Sequence, residues 1–478
     1  MVADPDHDAT GISARILALC HHPLASPSLS GFVRGIDLFY QIPTKLPSDF
    51  RVLHTADWHL GKTLGDLSRH EEHRRFLTFL VDAVRNHDVD AVVVSGDVFD
   101  SAYPPQSALA LYYDFVSDLR RRTKASLVIT AGNHDSPAVL EAPRGLLSAL
   151  DIHVVGRLPK KIKDLVIPLP HAAAPQVVVV ALPFLRERDL REGGIGQGAE
   201  AIRRQLADGI RRIHRLAAQQ TAEWRQRGIP VLAMGHLTAG SDACPEGERE
   251  IHIGGLGAVG ADAFPPEFDY VALGHLHRPQ AVGDGNRIRY SGSPIPLSFG
   301  EATDVKELRV VDFGEGRLVG CHALRLDLER SLAQWRIPFD QLALHLREKH
   351  PPRTPLMPWV EVVVEAAPPG EPIFQLVQDL AKGRPYEVVR VLHHRPTATP
   401  QLTAGEWSPE AEAADLLASP ERVFACRLSD EPDLPDEDRV GLTTVFRELL
   451  DLHQDRLRHA GDEDPDGAEA PGVPALPE

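Results

Sequence analysis

LHTADWHLGK, residues 53–62, is an apolar run that stops on Asp57 and His59. Arg51–Ala56 has the length and composition of a buried strand, and the polar pair stands where the strand runs out. Asp57 and His59 alternate, so on an extended segment both side chains point to one face. The arrangement recurs downstream. SGDVFD (95–100) follows the run Ala91–Ser95, AGNHDS (131–136) follows Leu127–Ala131, Gly235-His236 follows Val231–Met234, and Gly274-His275-Leu276-His277 follows Tyr270–Leu273. A sixth turn, Tyr290-Ser291-Gly292-Ser293-Pro294, ends the run Arg287–Tyr290 and supplies no ligand of this kind. Between the first three runs lie two helical periods, Arg69–Asn86 and Ser107–Arg122. Strand and helix thus alternate as βαβαβ, the pattern of an α/β sheet, whose ligands bind outside the carboxyl ends of its strands.

Further along, Val177–Leu182 reads as a strand, Ala199–Arg227 as a long helix, and Arg287–Tyr290 and Glu307–Asp312 as strands completing a second sheet. The expected fold class is α/β, a four-layer αββα sandwich of two mixed sheets over residues 50–324. A small α+β unit follows at 325–400, built from the alternating strand WVEVVVE (359–365), a helix at 373–382 and a strand at 386–393. Proline-rich stretches at 351–358 and 396–400 flank it as linkers. Residues 401–460 read as helical, with Pro409–Leu417 and Val440–Leu457 the clearest segments. In the latter, Leu442, Val445, Phe446 and Leu449 form an apolar face with no evident core to join. Residues 461–478 are acidic and proline-rich and are expected to be disordered. Residues 1–49 lack a period and are broken by Pro5, Pro23, Pro27 and Pro43; they read as an extension, disordered or the product of a misassigned start.

At 478 residues the chain is too long for one ordinary core. Its 43% hydrophobic and 25% charged residues are those of a soluble globular protein. No apolar run reaches the ~18–20 residues needed to span a bilayer, so no membrane is expected. Nor does a basic segment precede an apolar one at the N-terminus, which argues against a secretory signal. Cys20, Cys244, Cys321 and Cys426 stand far apart with no CxxC pair, which disfavours a zinc ribbon or disulfide framework and fits a reducing cytoplasm. A net charge of −17 does not advertise a nucleic-acid binder, although metal ions, a local basic patch or a partner can supply a positive field.

Asp, His and Asn at strand ends are the side chains that bind a pair of divalent ions of hard to borderline character. Asp97 offers one carboxylate that can bridge two ions, and Asn133 a neutral oxygen. His275 and His277 alternate as Asp57 and His59 do. Divided between two ions, the set gives Asp57, His59, Asp97 and His277 to the first, and Asp97, Asn133, His236 and His275 to the second. A bridged pair stands roughly 3.5–4 Å apart and suits a phosphoryl displacement, clamping attacking and leaving oxygens. Mixed nitrogen and oxygen donors favour Mn²⁺, Fe²⁺ or Zn²⁺ over Mg²⁺. His134, beside Asn133, is the candidate catalytic residue outside the ligand set, placed to stabilise the phosphate or protonate the leaving oxygen. Asp135 is expected to orient an imidazole from behind.

The series DWH, GDVFD, GNHD, GH and GHLH resembles the calcineurin-like metallophosphoesterase superfamily. The fuller wording of LHTADWHLGK, SGDVFDSAYPP (95–105), AGNHDS, ALGHLHRPQ (272–280) and YSGSPIPLSFGE (290–301) closely resembles its SbcD branch, the nuclease subunits of SbcCD complexes. The resemblance covers residues 51–313 strongly and the small α+β unit weakly. It implies two manganese ions and hydrolysis of DNA phosphodiesters, 3′→5′ on duplex ends and endonucleolytic on single strands and hairpins, in DNA repair, replication and recombination. It also implies a homodimer of this chain joined to two copies of an SbcC-type ATPase, with ATP used only by that partner. Residues 325–400 would be a DNA-recognising capping domain and 401–460 the partner-binding region. Two features depart from the family. Asp100 stands where some relatives have a histidine, so no second catalytic histidine is carried over, and residues 1–49 precede the family's usual start.

The competing reading of the same centre is a stand-alone metallophosphatase or cyclic-nucleotide phosphodiesterase, for which the small unit and helical tail have no use. A non-catalytic DNA-end scaffold is opposed by the full ligand set. Weaker motifs have ordinary explanations. Gly61-Lys62-Thr63 lacks the upstream glycine of a P-loop, since Ala56 stands there. Gly255–Gly260 matches GxGxxG outside any opening βαβ unit. Arg120-Arg121-Arg122 suits a solvated helix C-terminus. His54, His70, His73, His87 and His153 are assigned no role at the centre.

Overall fold

The structure, a computed structural model, describes residues 42–190, 199–240, 259–283, 285–368 and 370–394, with Phe424, Leu428, Arg439, Leu442, Thr443 and Phe446 beyond them. Residues 1–41 of the extension, most of the GxGxxG stretch, most of 401–460 and all of 461–478 lie outside the described residues.

Twelve strands build two sheets among the described residues. In chain order β1 to β12 are Phe50–Thr55, Ala91–Ser95, Ser126–Thr130, Ile152–Val155, Val166–Leu169, Val177–Ala181, Val231–His236, Tyr270–Gly274, Gln280–Ala281, Ile288–Tyr290, Glu307–Gly314 and Arg317–Arg325. The first sheet runs β12-β11-β1-β2-β3-β4 and the second β9-β10-β8-β7-β6-β5. Both are mixed: the first is parallel from β1 to β4 and antiparallel from β1 through β11 to β12, and the second is parallel at its centre and antiparallel at both edges.

Period-two alternation decides the layering. Val52, Val93 and Val128 of the first sheet join a core with Val177, Val179, Leu232 and Val271 of the second. Their neighbours Leu53, Val92, Val94, Leu127 and Ile129 face the other way, onto α1 (His70–Asn86) and α2 (Gln106–Arg122) through Phe76, Leu80, Leu111 and Phe115. On the far side α3 (Ala199–Gln219) lays Leu206, Ile210 and Ile213 against the second sheet. The result is the expected αββα sandwich. No helix among the described residues is long and apolar enough to cross a membrane.

One strand assignment changes. Glu307–Asp312 was expected in the second sheet, but β11 pairs antiparallel with β1 in the first, Arg51 opposite Asp312. Their side chains form a buried bidentate pair, Arg51 Nε to Asp312 Oδ1 at 2.6 Å and NH2 to Oδ2 at 2.9 Å. That pairing is non-local, so neither strand alone could report it.

The segment after β12 is larger than expected. β13 (Leu332–Pro338), β14 (Trp359–Glu365) and β15 (Glu387–His394) form an all-parallel sheet, crossed by α4 (Leu342–Glu348) and α5 (Ile373–Ala381). Its core gathers Trp335, Ile337, Leu346, Val360, Val362, Val377 and Tyr386. The described residues to 394 belong to one compact unit and those from 424 to a second. In the second, Phe446 of the apolar face stacks on Phe424, ring centroids 4.0 Å apart, and Thr443 Oγ1 donates to the Arg439 carbonyl at 2.7 Å.

Candidate metal centre

The carboxyl ends of β1, β2, β3, β7 and β8 meet at one place, and the turns there are not extended. Asp57, His59, Asp97 and His275 take φ values of +53°, +48°, +50° and +104°. Non-glycine residues rarely occupy this region, and clusters of them mark functional sites. The extended geometry expected for Asp57 and His59 is therefore replaced by two left-handed residues flanking Trp58. Trp58 turns the opposite way into the helical layer, edge-on to Phe76 and Phe115 at 5.9 and 5.2 Å, with Nε1 donating to Thr55 Oγ1. Backbone bonds from Asp57 N to Gly96 O and from His59 N to Asp97 O lock the first two turns together. The glycines before Asn133 and His275 allow close approach: a Cβ at Gly274 would run into the Ser95 carbonyl, and one at Gly132 into the Asp97 carboxylate.

The side chains converge. Asp57, His59 and His277 form one group of mutually close donor atoms, and Asp57, Asp97 and His236 a second. His59, Asp97 and His134 form a third. His236 Nε2 lies 3.3 Å from Asp97 Oδ2 and 2.9 Å from Asn133 Oδ1, and His275 Nδ1 lies 3.1 Å from the same Asn133 oxygen. All seven proposed ligands and His134 thus stand together. Asp57, His59, Asp97 and His236 are buried, whereas Asn133, His134, His275 and His277 are half-buried and form the open side.

Three imidazoles are presented the same way. Nδ1 of His59 faces Asp100 Oδ1 at 3.1 Å, Nδ1 of His236 faces the Ser95 carbonyl at 2.9 Å, and Nδ1 of His277 faces Glu301 Oε1 at 3.1 Å. An oxygen acceptor on Nδ1 fixes the proton there and leaves the Nε2 lone pair for the centre, the usual support of a metal-binding histidine. His59 Nε2 is buried with no hydrogen-bond partner and lies 3.5 Å from Asp97 Oδ2.

The electrostatics point the same way. Burial pushes Asp57 up to about 7. For Asp97 burial acts upward too, but His236 and His59 outweigh it and hold the carboxyl well below the usual range. Burial lowers His59 to about 4; His236, despite burial, is raised to about 9 by Asp97 and Asp57. Two buried carboxylates beside an orphaned imidazole nitrogen need positive charge. Divalent ions with mixed nitrogen and oxygen ligands fit this donor set.

Asp135 does not orient an imidazole. It is buried and accepts the backbone N–H groups of Val98, Phe99 and Gly132, which ties the Asp97 and Asn133 turns together. Its hydrogen bonds are made to backbone donors of two turns rather than to an imidazole. Asp100 and Glu301 hold imidazoles instead. Asp100 also accepts His134 Nδ1 on its carbonyl at 2.8 Å and Lys62 Nζ on its carboxylate at 3.0 Å. The sixth motif, silent as a ligand source, is structural. Tyr290 Oη receives Ala239 N and donates to Leu237 O, holding the loop after His236. Ser293 joins Glu301 and the buried Lys306: Lys306 Nζ lies 2.6 Å from Glu301 Oε2, 2.9 Å from Ser293 Oγ and 3.1 Å from the His277 carbonyl. Burial would raise Glu301, but His277 and Lys306 keep it well below the ordinary range.

His54 and His73 are fully buried rather than peripheral. The His54 ring bridges the sheets, Nε2 to the Leu273 carbonyl and Nδ1 to Tyr270 Oη, both at 3.1 Å. The carbonyl can only accept, so Nε2 carries the proton and Tyr270 donates to Nδ1.

The pattern of the calcineurin-like phosphoesterase family matches residues 50–279. A protein of Escherichia coli K12, named as the D component of the SbcCD nuclease, is 33% identical over 411 residues, 84% of this chain and 100% of that protein. Proteins of the same name from Rhodobacter capsulatus and Bacillus subtilis are 42% and 35% identical over 266 and 287 residues. Those matches cover 52% and 60% of this chain, and 63% and 72% of the relatives.

Proposed function

This chain belongs to the SbcD family of nuclease subunits within the calcineurin-like phosphoesterases, and from that premise we propose how its residues carry metal-dependent hydrolysis of DNA. Asp57, His59, Asp97 and His277 hold one divalent ion, and Asp97, Asn133, His236 and His275 hold the other, with Mn²⁺ the native metal. When bound, such a pair polarises a phosphodiester and supplies an activated water. The observation that carries the reading is the convergence of five strand ends on two buried carboxylates ringed by imidazoles whose Nδ1 protons are fixed from behind.

His134 acts on the substrate. Its Nδ1 is engaged by the Asp100 carbonyl, which leaves Nε2 on the half-exposed side to stabilise the phosphate or protonate the leaving oxygen. We assign the chain 3′→5′ exonuclease activity on duplex ends and endonuclease activity on single strands and hairpins, in DNA repair, replication and recombination. The partner is an SbcC-type ATPase, two copies with two of this chain, in the cytoplasm. Residues 325–400 recognise DNA and 401–460 bind the ATPase. A stand-alone phosphatase is not favoured, because the relatives spanning the chain are nuclease subunits.

The test digests end-labelled duplex and hairpin DNA with Mn²⁺, with and without the ATPase partner and ATP. Turnover of nitrophenyl phosphate esters with no action on DNA under any of these conditions would sink the reading. His134→Ala should lower cleavage by roughly 10²–10⁴-fold and leave Mn²⁺ binding intact; loss of the metal as well would contradict the role given to His134.

A further inference from the structure

Arg69 and Glu72, at the start of α1, are both buried and paired, Arg69 Nε lying 2.9 and 2.8 Å from the two carboxylate oxygens. The pair has contacts on two sides. On one, Arg69 NH1 donates to the Pro296 carbonyl at 2.8 Å, in the segment between the sixth motif and the Phe299–Glu301 turn. On the other, Glu72 Oε2 accepts Arg330 Nε at 3.2 Å. The Arg330 guanidinium lies 3.9 Å from the ring centroid of Trp359, the first residue of β14. Phe299 packs with Leu332 and Trp359, where β13 and β14 begin, and Leu64 and Leu67 pack against the same cluster. The segment that leads through this short turn is therefore held by Arg69 at Pro296 and by the foot of the three-stranded sheet at Phe299. The third residue of that turn is Glu301, whose carboxylate holds the His277 ring.

We propose that Arg330 and Trp359 are positioning residues for His277, so that the seat of the three-stranded sheet on α1 sets the geometry of one half of the metal centre. Withdrawal of Arg330 leaves Glu72 with Arg69 alone and removes the nearer of two cations beside the Trp359 ring, the Arg69 guanidinium staying 5.8 Å from its centroid. Trp359 is then pinned less firmly against Phe299, and the turn that carries Glu301 loses that support while keeping the bonds of Glu301 to Lys306, Ser293 and the Leu297 N–H. Anything that shifts the small sheet, including nucleic acid lying across it, is felt at His277 by this route. The inference rests on the reading of the centre above only in taking His277 as a ligand.

Hydrogen–deuterium exchange on the metal-free full chain tests it, comparing wild type with Arg330→Met and Arg330→Lys. In Arg330→Met, peptides spanning 293–306 should exchange at least tenfold faster, together with peptides spanning 329–335, while those spanning 91–98 and 231–236 keep their wild-type rates. Arg330→Lys, which keeps a cation for Glu72 and Trp359, should restore most of the protection at 293–306. Mn²⁺ titration of Arg330→Met should show one of two ions bound at least fivefold more weakly. Loosening at 329–335 with 293–306 unchanged overturns the proposal, as does a rise spread evenly over the chain. The exchange measurement needs neither metal nor DNA, so a wild-type chain that fails to cut DNA refutes the nuclease assignment while the exchange rates decide the coupling separately.

Discussion

Replacing Glu301 by glutamine changes one atom and should move one proton. Three donors converge on Glu301 Oε2: Lys306 Nζ at 2.6 Å, the Leu297 N–H at 3.1 Å and Ser293 Oγ at 3.3 Å. An amide in this place must keep its oxygen there, which puts its NH₂ group against His277 Nδ1, now 3.1 Å from Oε1. Two donors cannot face each other, so the imidazole proton leaves Nδ1 for Nε2 and caps the lone pair that faces the centre. Glu301→Gln therefore leaves His277 in place but turns a proton toward the centre, so that the ring no longer offers the lone pair its proposed role needs. Loss of such support costs about 10–100-fold in metal affinity, or about 1.4–2.7 kcal/mol. Calorimetric titration of the full chain with Mn²⁺ should show two ions in the wild type, one of them weakened by this factor in the variant and the other unchanged within twofold. Lys306→Met leaves the carboxylate on Nδ1 and should weaken the same ion less. Equal affinity for both ions in Glu301→Gln would refute the tautomer argument, as would loss of both ions from a chain of unaltered circular dichroism.

His214 is buried in α3, with Nδ1 on the Ile210 carbonyl and the ring edge-on to Phe264, and burial lowers it from 6.5 to about 4. The unfolded chain binds this proton first as pH falls, so stability should drop between about 6.5 and 4 by up to about 1.4 kcal/mol per unit from this group. His214→Gln should flatten the pH dependence of the thermal midpoint there, and an unchanged slope would remove His214 from the account. His54→Leu removes both hydrogen bonds of the bridge between the sheets, at about 0.5–1.5 kcal/mol each. A loss below 1 kcal/mol in urea unfolding would mean the bridge is dispensable.

Much of the proposed centre was legible because its polar residues stand at the ends of apolar runs, Asp97, Asn133, His236 and His275 each directly after a glycine, a local pattern that a linear reading catches. Asp57, Asp97 and His236 needed no partner to be noticed. The groups that aim them did not share that advantage. Glu301 lies 24 positions from the ring it holds, inside a stretch whose only visible signal was its wording, and Lys306 looks like any lysine until it proves buried. Asp135 was misread because an acid beside His134 suggests an imidazole partner, whereas the backbone donors of Val98 and Phe99 arrive from another turn. The same limit hid the sheet of β11, because its pairing with β1 is made across 261 positions by Arg51 and Asp312. In β13, Leu332, Trp335 and Ile337 are buried at irregular spacing, so neither a period of two nor of 3.6 stands out.

Asp57, His59, Asp97 and His275 all hold left-handed backbone that glycine would adopt without strain. Each such L-residue gives up roughly 1 kcal/mol or more. Glycine would relieve that strain, but it would also take away the carboxylates of Asp57 and Asp97 that accept the His275 and His134 N–H groups. A laboratory library screened for heat resistance alone would weigh that relief against the lost bonds and the greater freedom of glycine in the unfolded chain. Asp57, His59, Asp97 and His275 thus hold strained backbone in exchange for side chains that face the centre, which makes them the residues where durability and activity pull in opposite directions.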